Sequence, residues 1–181
     1  LEIENFKSIR RQTLELGDLN VLIGANGAGK SNLMQVFRLL REIRMQNLAR
    51  YSLERGAEAL LYRGRKVSPA MRLAVEFGEK GRRDGYRLAL IPTDENTLAV
   101  DRETVYAHDP QCENGLSTIE LGGASREARL AVSEERIAET IRTDLASYRL
   151  YHFHDTSATA ALRGPAEVND NRFLRSDAGN L

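Results

Sequence analysis

Leu1, Ile3 and Phe6 alternate with Glu2 and Glu4, which predicts a short strand with one polar face. Leu14 and Leu16, set between Thr13 and Glu15, predict a second strand. Residues 19–23 are mostly apolar, the pattern of a strand buried on both faces. This run leads straight into a glycine-rich segment, 24–29. Beyond it, Leu33, Val36, Phe37, Leu40 and Ile43 recur at three- and four-residue spacing, one apolar face of a helix. Residues 46–61 also read as helical, although Gly56 weakens that reading.

Met71, Leu73, Val75 and Phe77 alternate as a half-buried strand should, and Tyr86, Leu88 and Leu90 repeat the pattern. Leu98 with Val100 and Ile119 with Leu121 do so more briefly. Turn signals at Gly81, Gly85, Pro92, Asp109-Pro110 and Gly122-Gly123 separate them, so the middle of the chain predicts an antiparallel meander. Ser133, followed by Glu134 and Glu135, predicts a helix start, with Ile137, Ile141 and Leu145 as its apolar stripe. Residues 150–154 read as a strand, and 156–181 are turn-rich. No repeat, low-complexity tract or linker divides the chain, so 1–181 is expected to be one unit.

Composition narrows the class without naming a chemistry. At 181 residues the chain has the size of one domain. Such a domain buries roughly 70% of the surface its unfolded chain exposes, enough for a real core. An apolar fraction of 41% and a charged fraction of 29% fit a globular protein. Lys plus Arg number 26, as do Asp plus Glu, so a protein held on nucleic acid by bulk positive charge is not expected. The single cysteine, Cys112, excludes a disulfide framework and a multi-cysteine metal site, and its polar loop gives it no evident role. No apolar run approaches the ~18 residues of a membrane span, and no signal peptide is recognisable, so a cytoplasmic protein is expected.

The chemistry lies in Gly24-Ala25-Asn26-Gly27-Ala28-Gly29-Lys30-Ser31, which satisfies G-x-x-x-x-G-K-[ST], the Walker A pattern. Glycines permit the backbone angles that turn successive amides inward into an anion nest. The helix that follows presents its positive end to phosphates. Lys30 would reach the outer phosphates as a point charge, and the Ser31 hydroxyl would ligate Mg²⁺. The apolar run before the loop and the amphipathic helix after it give the motif its expected context.

The opening run Leu1-Glu2-Ile3-Glu4-Asn5-Phe6-Lys7-Ser8-Ile9, followed by residues 19–23 and by Asn26-Gly27-Ala28-Gly29-Lys30-Ser31-Asn32-Leu33, resembles the N-terminal ATPase lobe of RecF and SMC proteins. These are ABC-type P-loop ATPases. Leu60-Leu61-Tyr62-Arg63-Gly64 is similar to the segment after the first helix of SMC heads. Ser125-Arg126-Glu127-Ala128-Arg129-Leu130, Tyr151-His152-Phe153-His154-Asp155-Thr156-Ser157, Asn169-Asp170-Asn171 and Ser176-Asp177-Ala178-Gly179-Asn180-Leu181 resemble a bacterial group of RecF-like ATPases.

This resemblance implies an α/β fold with the Walker strand and helix at its core and an antiparallel β subdomain beside it. It implies ATP and Mg²⁺ as ligands, with Asn26, Gly27, Ala28, Gly29, Lys30, Ser31 and Asn32 around the nucleotide. Two heads would dimerise around ATP, in DNA repair, DNA maintenance or anti-phage defence. Such enzymes also need a Walker B strand ending Asp-Glu and a Leu-Ser-x-Gly signature loop. Thr97-Leu98-Ala99-Val100-Asp101-Arg102-Glu103 is the nearest approach to the first, but its apolar run is short and Arg follows the Asp. Gly122-Gly123-Ala124-Ser125 lacks the Leu-Ser of the second. The chain is therefore expected to be the N-terminal part of a head, binding nucleotide without efficient hydrolysis by itself.

Other residues keep more than one reading. His154 or Asp155 would stand where related heads carry the hinge glutamine near Mg²⁺. Alternatively, His152, His154 and Asp155 would hold a metal, or Asp155 and Thr156 would cap a turn. Lys7 and Ser8 lie on the turn that in related heads approaches base and ribose, or they form a solvated turn. Arg63, Arg65 and Lys66 would contact DNA or form a solvated basic cluster. A nucleotide kinase or a GTPase is the rival P-loop enzyme; the Asn-Lys-x-Asp of a GTPase is missing, and a meander follows the helix. A non-catalytic nucleotide-binding module is the other alternative.

Overall fold

The computed structural model describes residues 1–148, apart from 18, 79–82 and 113–114. Strands β1 (Glu2–Phe6), β2 (Ile9–Thr13), β3 (Met71–Phe77), β4 (Asp84–Pro92), β5 (Leu98–His108) and β6 (Leu116–Gly122) form one sheet in the order β2-β1-β3-β4-β5-β6. Every neighbouring pair is antiparallel. Helices α1 (Lys30–Arg44), α2 (Leu48–Arg55), α3 (Ala57–Leu60) and α4 (Arg136–Ser147) and a 3₁₀ turn at Arg129–Ala131 complete the described elements.

The meander follows from alternation. Met71, Leu73 and Val75 of β3 and Tyr86, Leu88 and Leu90 of β4 are buried, while Arg72, Glu76 and Arg87 between them face solvent. These apolar residues pair across the ladder, Met71 with Leu90, Leu73 with Leu88 and Val75 with Tyr86. They join Ile3, Phe6, Val36, Leu39, Leu40, Ile43, Leu48 and Ile141 in one hydrophobic cluster. The opposite face is polar and carries the ion pairs Arg72–Glu4 (3.2 Å) and Arg102–Glu120 (3.4 Å).

Several expectations are corrected. The second strand is Ile9–Thr13 rather than a strand centred on Leu14 and Leu16. A two-residue turn, with Lys7 at φ 48°, pairs Phe6 directly with Ile9 and starts the strand earlier. Leu14 only extends the ladder, exchanging both backbone bonds with Leu1 at 2.8 Å. Residues 46–61 are two helices broken at Gly56, whose φ of 76° and ψ of 134° no helix accommodates. In α1 the buried residues are Leu33, Val36, Leu39, Leu40 and Ile43, with Leu39 in the place expected for Phe37. Helix α4 begins at Arg136, and Ser133 Oγ accepts the Glu135 N–H at 3.3 Å just before it.

The largest correction concerns residues 19–23. They belong to no strand, and Leu19, Val21 and Ile23 are 85%, 73% and 92% exposed. An apolar run becomes a buried strand only where neighbouring strands accept its backbone groups, and no described strand of the sheet does so here. The described sheet is thus the antiparallel one alone. The Walker B-like stretch also resolves: from Leu98 on it is the first part of β5, with Asp101 exposed and Glu103 fully buried.

Candidate phosphate-binding site

The glycine-rich loop ends at Gly29, the N-cap of α1, in the left-handed conformation at φ 93°. Gly27 shares that region at φ 83°. A side chain at Gly29 would be strained twice over, by its φ and by Ser8 Oγ, which lies 3.1 Å from where a Cβ would stand. This conformation aims the first helical amides of α1 out of the chain. Leu33 N–H already bonds Gly29 O at 3.0 Å, so among the described residues the amides of Lys30, Ser31 and Asn32 are the first-turn donors without an acceptor.

Among the described residues no side chain caps this helix, and its first turn holds no acidic residue. The contrast with the other helix starts is sharp. Glu127 accepts the N–H groups of Leu48 and Ala49 at the start of α2, at 2.9 and 3.0 Å. Asn96 Oδ1 accepts the Glu58 N–H of α3 at 2.9 Å. Glu103 accepts the N–H groups of Arg129 and Leu130 at 2.6 and 2.8 Å. Side chains remote in sequence satisfy those ends, whereas no described side chain does so for the start of α1, a helix end whose dipole favours negative charge.

Lys30 Nζ lies inside the loop, donating to the carbonyls of Gly24 at 2.5 Å and Ala25 at 2.8 Å. Its charge is thereby held over the nest. The Ser31 side chain is exposed at the second helical position. These donors fit a polyphosphate: amides and an ammonium for the charge, a hydroxyl beside them for a cation. Among the described residues no group of His, Cys, Asp and Glu could hold a metal by itself, so Mg²⁺ would depend on Ser31 and on phosphate oxygens. A groove of ≈370 Å³ runs beside the loop, bordered by Ser8, Arg10, Gln12, Leu22, Ile23 and Lys30.

The turn holding Lys7 and Ser8 is brought against the start of α1. Asn32 Nδ2 donates to Ser8 Oγ at 2.8 Å, and Lys7 Nζ donates to Gln35 Oε1. Burial, and secondarily the Arg55 guanidinium, hold the Lys7 ammonium below its usual pKa. Gln35 is absent from the residues the motif singles out. Its spacing of three from Asn32 on one helix was the available signal.

Arg63, Arg65 and Lys66 lie on an exposed loop after α3. Arg65 pairs with Glu58 at 3.9 Å, and Arg63 lies over the Tyr62 ring at 5.4 Å. Cys112 contacts Asp109 at 3.5 Å. His152, His154, Asp155 and Thr156 lie outside the described residues. No helix among the described residues is long and apolar enough to cross a membrane.

A left-handed glycine turn, an uncapped helix start and a lysine folded over them define a P-loop nucleotide-binding domain. The chain belongs to the family described as "AAA domain, putative AbiEii toxin, Type IV TA system", whose match covers residues 19–164. It is also similar to Structural maintenance of chromosomes protein 1 of Schizosaccharomyces pombe, at 29% identity over 136 residues. That similarity covers 64% of this chain and 11% of the yeast protein, so the chain spans about a tenth of that relative's length. Both findings agree with the resemblance to SMC- and RecF-type ATPases. No solved structure matches the chain significantly.

Proposed function

We propose that this chain is the nucleotide-binding N-terminal lobe of an ATPase head of the ABC, RecF and SMC kind. The observation that carries the reading is the α1 start, whose amides no described side chain caps while those of α2 and α3 have side-chain acceptors. Amides of 26–30 and the Lys30 ammonium would take the β- and γ-phosphates, and Ser31 would take Mg²⁺. Bound Mg²⁺ supplies charge neutralisation between phosphates. Lys7, on the turn beside the start of α1, would meet the ribose side of the nucleotide, with Ser8 next to it bonded to Asn32.

Hydrolysis belongs to the complete protein. Among the described residues no carboxylate cluster could hold a metal, and in the Walker B-like stretch Asp101 is exposed while Glu103 is committed to Tyr86 and two backbone amides. The exposed apolar run at 19–23, joined to the phosphate loop, supports further structure covering it in the working protein. His154 and Asp155 remain candidates for the hinge position. ATP-driven pairing of two heads, work on DNA through Arg63, Arg65 and Lys66, and a role in repair, maintenance or phage defence extend the same proposal from the family resemblance.

The deciding experiment is calorimetry of ATP–Mg²⁺ with the Lys30→Ala chain. Binding should be lost to detection; unchanged affinity would remove the phosphate assignment.

A further inference from the structure

Ser8 and Asn32 stand 24 positions apart in sequence and meet through a hydrogen bond of 2.8 Å. Asn32 is the third residue of α1. An asparagine there carries a carboxamide that can fold back on the open amides of its own first turn, because short polar side chains compete for nearby backbone groups. In this structure the carboxamide is turned aside, donating to Ser8 Oγ. The same oxygen lies 3.1 Å from the position a Cβ on Gly29 would take. One hydroxyl thus borders the left-handed glycine and restrains the side chain best placed to occupy the nest. One turn further along α1, Gln35 accepts from Lys7, so the turn is attached to the helix at two successive positions.

We propose that Ser8 and Asn32 are a positioning pair: their mutual bond keeps the α1 amides open and holds Gly29 in the conformation that aims them. The inference rests on the phosphate-binding reading above. It differs from direct nucleotide contact by either residue: the Asn32 Nδ2 donor and the Ser8 Oγ acceptor act on each other. The pair acts on the phosphate nest, so it affects any polyphosphate alike.

The test uses the full 181-residue chain, with pyrophosphate–Mg²⁺ and ATP–Mg²⁺ as probes in calorimetry. Ser8→Ala and Asn32→Ala should each weaken both probes by about three- to tenfold, the range of one hydrogen bond. The double variant should lose no more than either single one, and Ser8→Thr, which keeps the hydroxyl, should restore affinity. Losses confined to ATP would mean direct nucleoside contact and overturn the proposal. Additive losses, or none beside a Lys30→Ala chain that no longer binds, would also overturn it. So would unfolding of Ser8→Ala seen by circular dichroism, which would give the bond to the fold alone. If Lys30→Ala itself binds normally, the phosphate reading fails instead.

Discussion

The Glu127 carboxylate spans the first two amides of α2, accepting the N–H of Leu48 at 2.9 Å and that of Ala49 at 3.0 Å. The two partners lie 79 and 78 positions away, so a segment after the meander closes a helix before it. Ser125, two residues earlier, bridges Val100 of β5 by backbone bonds of 2.7 and 3.2 Å. The Ser125–Leu130 motif is therefore a clasp: Ser125 on the sheet, Glu127 on α2, and the amides of Arg129 and Leu130 on Glu103.

Replacing Glu127 by Ala should lower unfolding stability by about 1–2 kcal/mol, the worth of a helix N-cap. Urea denaturation measures it. Because α2 contributes the buried Leu48 and Tyr51, the loss should appear in the main unfolding transition. A change below about 0.3 kcal/mol would mean that water replaces the carboxylate without cost.

Tyr86 donates to Glu103 at 2.8 Å in the sheet interior, and burial, then the Glu103 charge and their hydrogen bond, push the Tyr86 pKa well above 10. Burial and Glu76 raise Tyr106 to about 12. A raised tyrosine pKa favours the protonated folded state. Its stabilisation is complete below the unfolded value of about 10 and falls as pH rises beyond it toward the folded value. Melting temperature should accordingly decline above pH ~10. Tyr86→Phe should flatten the decline while lowering neutral-pH stability by about 1–3 kcal/mol, since Glu103 loses a donor. An unaltered pH profile in that variant would contradict the coupling.

Gly29→Ala places a Cβ at φ 93° and 3.1 Å from Ser8 Oγ. The left-handed conformation costs a non-glycine residue roughly 1–2 kcal/mol. The helix start is expected to rotate away from that strain, weakening ATP–Mg²⁺ by about tenfold or more. Thermal melting of the ligand-free chain should fall by only a few degrees. Full affinity in the variant would show that the nest tolerates another backbone geometry.

Leu19→Glu with Ile23→Glu should leave stability within about 0.5 kcal/mol, because both side chains face solvent. The same double change should reduce self-association of the chain in sedimentation velocity. Severe destabilisation would mean that the run is packed.

Features that depend on near neighbours were legible in the order of residues. The alternation of Met71, Leu73 and Val75 and of Tyr86, Leu88 and Leu90 specifies a half-buried meander, because a strand repeats every two residues. The 24–31 pattern specifies the loop and the helix start, because glycine spacing and the following lysine act within one turn. Gly56 only weakened a helical reading of 46–61, and the break into α2 and α3 came from its backbone angles. Tertiary structure alone decided what needs a distant partner. Burial of residues 19–23 requires strands to accept their backbone bonds, so an apolar run that reads as core stands exposed beside the described sheet. The start of β2 was set by the pairing of Phe6 with Ile9, which no local pattern records. Which helix ends are capped was settled by Glu127, Asn96 and Glu103 arriving from remote segments. That distribution leaves the amides of α1 without a described side-chain acceptor beside the Ser8–Asn32 bond, which no local pattern records.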